Sequence, residues 1–434
     1  MSQLDAVAVA RAPWWRSIGP GLITACVVFG PGSLLISSNV GATHGYDLLW
    51  LLALTGVLMG TFMTMAARVG VMGGATPCTL IAARLGRVVA AVIGINLCLI
   101  CTAFQFSNNL AVAAAFDTLG VERLFVSGGV SERVESWMST GFLLAFNGLV
   151  IASIFVLRQV YNSLERVMKI MVAVILICFV ANLFVARPAL SGILGGLVPG
   201  LPAPAEGDAA PRALLIASLL GTTFSVAAAF FQGNLVREKG WNIADYRRGI
   251  GDSIAGVAVL TGISAIIMIT SATVLHGRGT AGDIAALAMQ LRPLLGPATG
   301  VMFSIGLFAV AMNPFVINAM IGGSILADGL GKPPRLSDPW SRRFTVVVLL
   351  VGMTVAMIVL HTRVTKMDAI IFGQALTVVG NPLMAGAILW LANRRDIMQD
   401  RRNTLLLNIV GGLGFLAVLL IALRVLYLLI LRLT

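Results

Sequence analysis

The sequence predicts an all-α membrane protein, and three observations carry that prediction. The chain of 434 residues is 58% hydrophobic and only 11% charged, too little polar surface to wet a soluble globule. Its apolar residues come in continuous runs of about 20, the length that crosses a bilayer as helix, and not in the short alternating segments of a barrel. Its basic residues concentrate on every second loop, as they do when loops lie alternately on the two sides of a membrane.

Eleven apolar runs are long enough to span, centred near Val28, Val57, Leu97, Leu149, Ile177, Ser225, Leu260, Leu307, Val351, Val379 and Ala417. Twenty of the 30 Lys and Arg residues fall on the N-terminus or on alternate loops, Arg84, Arg87, Arg394 and Arg395 among them. This bias predicts a cell-membrane protein with a cytoplasmic N-terminus and, after an odd number of spans, a C-terminus outside. It also accounts for the net charge of +12 without nucleic acid as a partner. The expected organisation is one membrane domain: a cytoplasmic segment 1–17, two five-helix halves over 18–187 and 212–392, and a last helix over 403–431. No cleavable signal peptide is expected, because the first apolar run is itself a full span. The lipid bilayer is the expected environment, and no obligatory protein partner is indicated.

Between the halves, ARPALSGILGGLVPGLPAPAEGDAAPR reads as an irregular external loop, too rich in proline for helix. SGGVSERVESW reads as a short surface helix. Cys98 and Cys101 form a C-x-x-C pair on a presumed helix, and two small apolar core residues are the favoured reading. No nucleophile–base pair, zinc-ligand spacing or phosphate loop is present, so no enzyme and no cofactor are expected.

Two spans break their own pattern. The first carries Gly30-Pro31-Gly32-Ser33 in mid-run, where Pro31 removes a helical donor and Gly32 loosens the next turn. The sixth carries Gly221-Thr222-Thr223-Phe224-Ser225, small and polar where a lipid-facing helix would be rich in Leu. Unpaired backbone groups in hydrocarbon cost several kcal/mol each, so such breaks survive only around a protein-lined cavity. First and sixth are corresponding positions of two five-helix halves. Paired breaks of this kind point to a solute site at the bilayer midplane.

At these residues the chain resembles the Nramp family of divalent-metal transporters. IGPGLITACVVFGPGSLLISSNVGATHGYDLLW is similar to the family's first span and following loop, and MAARVGVMGG to the end of its second. GLFAVAMNPFVINAMIGGSILADGLG is similar to the eighth, FGQALTVVGNPL to the tenth, and NRRDIMQDRRNTLLLNIVG to the last loop and helix. The resemblance implies a LeuT-like fold: two inverted five-helix repeats plus one helix, with helices 1 and 6 broken. It also implies a small cation or solute as cargo, moved by alternating access.

The chain departs from the family at the metal site. The family's Asp-Pro-Gly-Asn reads Gly30-Pro31-Gly32-Ser33 here, and its Met-Pro-His reads Ser225-Val226-Ala227. The acids of its third helix are replaced by Gln105-Phe106-Ser107-Asn108-Asn109. No Asp, Glu or His falls at mid-depth in any predicted span, so no metal ligand set is assigned. The expected binding residues are Gly30, Ser33, Thr222, Ser225 and Gln374, the last at a family position that faces the site, with Pro31 and Gly32 as the helix break. Gln105, Asn108, Asn109, Gln232, Asn313 and Asn318 are the expected polar support, by side-chain amides that also knit membrane helices together. A Mn²⁺ or Fe²⁺ site of the family's kind is therefore not expected. The alternatives are a facilitator of a neutral or zwitterionic solute such as an amino acid, or a non-transporting sensor with the same fold.

Overall fold

The computed structural model describes residues 29–119, 132–155, 158–200, 212–279 and 282–433. Fourteen helices beyond short turns organise them. These are α1 (Pro31–His44), α2 (Leu49–Gly73), α3 (Pro77–Leu85), α4 (Arg87–Thr118), α5 (Glu132–Phe155), α6 (Arg158–Ala186) and α7 (Leu190–Gly196) in the first part. The second part holds α8 (Arg212–Thr223), α9 (Val226–Glu238), α10 (Ile243–Leu275), α11 (Thr299–Gly329), α12 (Pro339–Leu360), α13 (Lys366–Asn393) and α14 (Leu405–Leu433). Among the described residues nine helical stretches are long and apolar enough to cross a membrane, and α6 with α7 makes a tenth, bent by 119°. Val28, the centre of the first predicted span, lies outside the described residues. Ser225, the centre of the sixth, stands at the break between α8 and α9.

Each break has a local cause. Gly30 is extended (φ −118°, ψ −179°) and Pro31 opens α1, where a missing N–H costs nothing because that donor has no intrahelical partner. Phe224 and Ser225 are non-helical, and the Ser225 hydroxyl caps α9 by accepting from the Ala228 N–H at 3.4 Å.

Small residues let the helices close around these breaks. The most extensive helix contact is between α4 and α11, where a Cβ on Gly94 would lie 3.0 Å from the Ile325 carbonyl oxygen. The face of α1 lies on α10, α9 packs on α2, and α8 packs on α13. At the α2–α9 crossing, a Cβ on Gly70 would overlap the Gly233 carbonyl oxygen and the Val236 side chain. Gly60 on the same helix faces open space. Gly70→Leu should therefore lower the melting temperature in detergent by several degrees, because the overlap is with backbone that cannot repack. Gly60→Leu should leave it unchanged, and equal melting of the two variants would show that the crossing is not tight.

Two sequence expectations need correction. The Pro-rich connection is not wholly irregular, since α7 forms within it. It does so because Gly192 and Gly196 seat the helix directly on Tyr46, so these glycines serve close packing. The end of SGGVSERVESW is not a separate surface helix: from Glu132 onward it is the first turns of α5. Its earlier residues lie outside the described ones.

Candidate functional site

The two breaks meet. Gly30, Gly32 and Ser33 of the first, and Thr222 and Ser225 of the second, line one small, partly open cavity with Phe104, Asn108, Asn318 and Gln374. The Ser33 hydroxyl donates to the Thr222 carbonyl at 3.4 Å and joins the two interrupted segments. Gln374 reaches them from α13: its amide lies so close to Gly32 that a Cβ there would overlap it. The α8 backbone is equally close to α13, where a Cβ on Gly221 would overlap the Gln374 carbonyl. Gly221 meets backbone and needs glycine for approach, whereas a side chain at Gly32 would displace the Gln374 amide from the cavity; neither glycine has a positive φ.

The electrostatics follow from the helix ends. The N-terminal N–H groups of α1 and α9 carry partial positive charge at the cavity, and the last carbonyls of α8 carry partial negative charge. Thr222 O accepts from Ser33, and Phe224 O accepts from the Val226 N–H at 3.1 Å and from Asn381 Nδ2 at 3.4 Å. Among the described residues, none that lines the cavity is ionisable, and none offers sulfur or imidazole. Several buried side-chain atoms in and around the cavity have no hydrogen-bond partner among the described residues: Asn108 Nδ2, Thr223 Oγ1, Ser37 Oγ and Gln374 Oε1. Orphaned polar atoms are costly in a protein interior, and water or a ligand is their usual partner. The space open to the centre of a water-sized sphere is about 20 Å³, enough for one such particle.

The lining thus brings together Gly30, Gly32, Ser33, Asn108, Thr222, Ser225, Asn318 and Gln374 of the residues singled out from sequence, with Pro31 opening α1 beside them. Three others point elsewhere. The stem of Gln105 packs against Gly352 of α12, and both its amide atoms are buried without partners. Asn109 bonds the Gln105 carbonyl and accepts from Asn147 of α5 at 2.7 Å. Gln232 is fully buried on α9, outside the lining, again with both amide atoms unpaired. The Asn313 side chain lies outside the described residues. Sequence reasoning missed Phe104, one apolar wall, and Asn381, which holds the break carbonyl. Asn381 precedes Pro382 about two turns beyond Gln374, and an Asn-Pro pair inside an apolar run was the available signal.

A family model described as Natural resistance-associated macrophage protein-like (Nramp) matches residues 21–428. The chain is 24% identical over 418 residues to a divalent metal cation transporter, MntH, of Deinococcus radiodurans, covering 94% of this chain and 88% of that one. It is 25% identical over 410 residues to the MntH of Yersinia enterocolitica, covering 92% of each. In structure it resembles the Eremococcus coleocola manganese transporter, with TM-score 0.72 and 17% identity over 96% of this chain and 88% of that one. It also resembles MHP1, a nucleobase-cation-symport-1 family transporter, with TM-score 0.51 and 12% identity over 94% of this chain and 92% of that one. These likenesses carry the LeuT-like fold, and with the family match they place the protein among multi-pass membrane transporters. The chain belongs to the Nramp family.

Proposed function

We propose that this protein moves a hard divalent cation across the bilayer by alternating access, without coupling to protons at the central site. The carrying observation is the cavity between the two helix breaks, whose donors are hydroxyl, amide and carbonyl oxygens with no charge among them. The divalent cargo follows the MntH relatives by family. The choice among divalent ions follows the donors. Softer ions gain from sulfur and nitrogen ligands, which the described lining residues do not offer, whereas Mg²⁺ takes oxygen only and keeps several waters of its own. Retained water supplies coordination that the protein does not. With no carboxylate or imidazole among the described lining residues, these offer no group to carry a proton with the ion. The cavity as it stands holds one water-sized particle, so an ion that keeps several waters enters it only as the two breaks part during alternating access. Residues 18–187 and 212–392 are the two repeats that rock about it, and the basic-loop bias puts the N-terminus in the cytoplasm.

Uptake into proteoliposomes tests this reading. Mg²⁺ influx reported by an enclosed indicator should saturate and should be unchanged by a pH gradient of one unit. Mn²⁺ influx at micromolar concentration should stay at the level of protein-free vesicles, and alanine should not accumulate. Saturable micromolar Mn²⁺ uptake, or uptake of the amino acid without Mg²⁺ flux, would overturn it. Ser33→Ala with Gln374→Ala should reduce the Mg²⁺ flux at least tenfold while leaving the protein folded.

A further inference from the structure

A second cavity lies far from the helix breaks. A groove of about 560 Å³ runs between α13 and α14, floored by α3 and α4, with Val379, Gly386, Ala387, Trp390, Phe415 and Leu426 along its length. It exists because the helices carry small residues where they face each other. Gly386 offers no side chain to Phe415, and Ala387 and Ala422 offer only methyl groups.

Its position along the membrane is specific. α13 has 28 residues, so it is about 42 Å long and Val379 is its midpoint. From Val379 to Trp390 is about 16 Å of helix, and the hydrocarbon core is about 30 Å thick. The α13 wall of the groove therefore runs through one leaflet, from the midplane to the interface, and Leu426 on α14 carries the groove about one turn past the midplane. Its interfacial end is marked by Trp390, a residue type that settles at the headgroup level. The marked leaflet is the one beside the basic loops, where anionic lipids concentrate.

Charge at that end completes the picture. Arg394 stacks over the Trp390 ring at 5.0 Å, and Arg84 on α3 bonds Asp396 at 2.7 Å. Arg394 bonds the same carboxylate at 2.9 Å. Hydrogen bonds from Arg394 and then Arg84 hold the Asp396 carboxyl down at about 2, so it stays ionised at neutral pH. Two guanidinium groups against one carboxylate leave one positive charge at the mouth, and exposed Arg395 adds a second.

We propose that this groove is a binding site for an anionic phospholipid, with one acyl chain seated between α13 and α14 and the phosphate at Arg84 and Arg394. A groove of this depth inside a bilayer is filled by hydrocarbon, and the basic, aromatic mouth selects which lipid supplies it. Guanidinium groups suit phosphate through paired N–H donors.

Native mass spectrometry of the detergent-solubilised protein tests the assignment. The probes are 1-palmitoyl-2-oleoyl phosphatidylglycerol and the matching phosphatidylcholine, added at equal concentration. The protein should retain one phosphatidylglycerol at least tenfold more than phosphatidylcholine. Ala387→Phe with Ala422→Phe, which fills the groove, should lose that adduct. Arg84→Gln with Arg394→Gln leaves the groove open and should retain both lipids alike, so the charge half of the proposal stands or falls even if the filled variant does not fold. Equal retention of the two lipids by the unaltered protein overturns the proposal. So does a filled variant that keeps the adduct, or one that loses a dimer in place of a lipid, since the groove would then be an interface between copies.

Discussion

Gly30→Asp, Ser33→Asn and Ser225→Met together are expected to create a Mn²⁺ site that calorimetry detects at micromolar concentration, where the unaltered protein shows none. All three positions line the same cavity, so the introduced carboxylate, amide oxygen and thioether converge on one point. The carboxylate matters most. Two unit charges 4 Å apart attract by about 4 kcal/mol at the effective dielectric of a protein site, and a divalent ion doubles that. Part is lost to desolvating the carboxylate itself, so a gain of about 3 kcal/mol, roughly a hundredfold in affinity, is the reasonable expectation. The site can accept the change: a Cβ on Gly30 would lie 3.2 Å from Pro314 Cγ and 3.9 Å from Asn108 Oδ1, so the Pro314 ring must give by a few tenths of an ångström. Ser33→Asn and Ser225→Met alone, which add no charge, should bind little. If the unaltered protein already binds Mn²⁺ as tightly as the triple variant, the neutral lining does not decide the cargo and the proposed selectivity falls.

What the sequence made legible depended on how local the cause was. The spans were readable because hydrophobic length is a property of one segment, and Val57, Leu97 and Val351 all lie well inside helices. The breaks were readable because Pro31 and the run from Gly221 to Ser225 act on their own backbone. The resemblance to a family added the pairing of the two breaks, and Gln374 came from it alone. What stayed hidden was set by neighbours distant in sequence. α7 looked like loop because its glycines answer to Tyr46, far away in the chain. Gln105 and Asn108 are one turn apart on α4, yet only Asn108 faces the cavity, while the stem of Gln105 meets Gly352. Of Cys98 and Cys101, read as small apolar core residues, Cys101 is buried and packs under Gly322 in the α4–α11 contact, whereas Cys98 is only partly buried.

The acids at span ends looked like unremarkable loop residues in the sequence, and one of them is not. Asp328, on the last turn of α11, is 2% exposed, and its carboxylate accepts from Thr76 at 2.7 Å, Thr79 at 3.0 Å and Asn234 at 3.2 Å. It therefore ties α11 to α9, the second half of the broken sixth span, and to the start of α3. α9 cannot swing away from α11 at this end without breaking the Asn234 bond. Asp328→Ala should consequently favour the state open on this side. It removes the acceptor of the buried Asn234 amide and of two more exposed threonine hydroxyls, and the Asn234 orphan costs about 1–3 kcal/mol where it stays dry. Opening the end to water relieves that cost. Cys78 reports the change, since it neighbours Thr79 and has 0% exposure; burial first, and then the Asp328 charge and hydrogen bond, push its thiol well above the ordinary range, so Asp328→Asn, which removes the charge alone, is the control. In a background with the other four cysteines replaced by alanine, Asp328→Ala should raise the rate of Cys78 labelling by a membrane-impermeant maleimide at least tenfold. Asp328→Asn keeps one carbonyl oxygen and should fall between. A variant that stays folded and transports but labels no faster than the parent would show that the Asp328 bonds are not what holds this end shut.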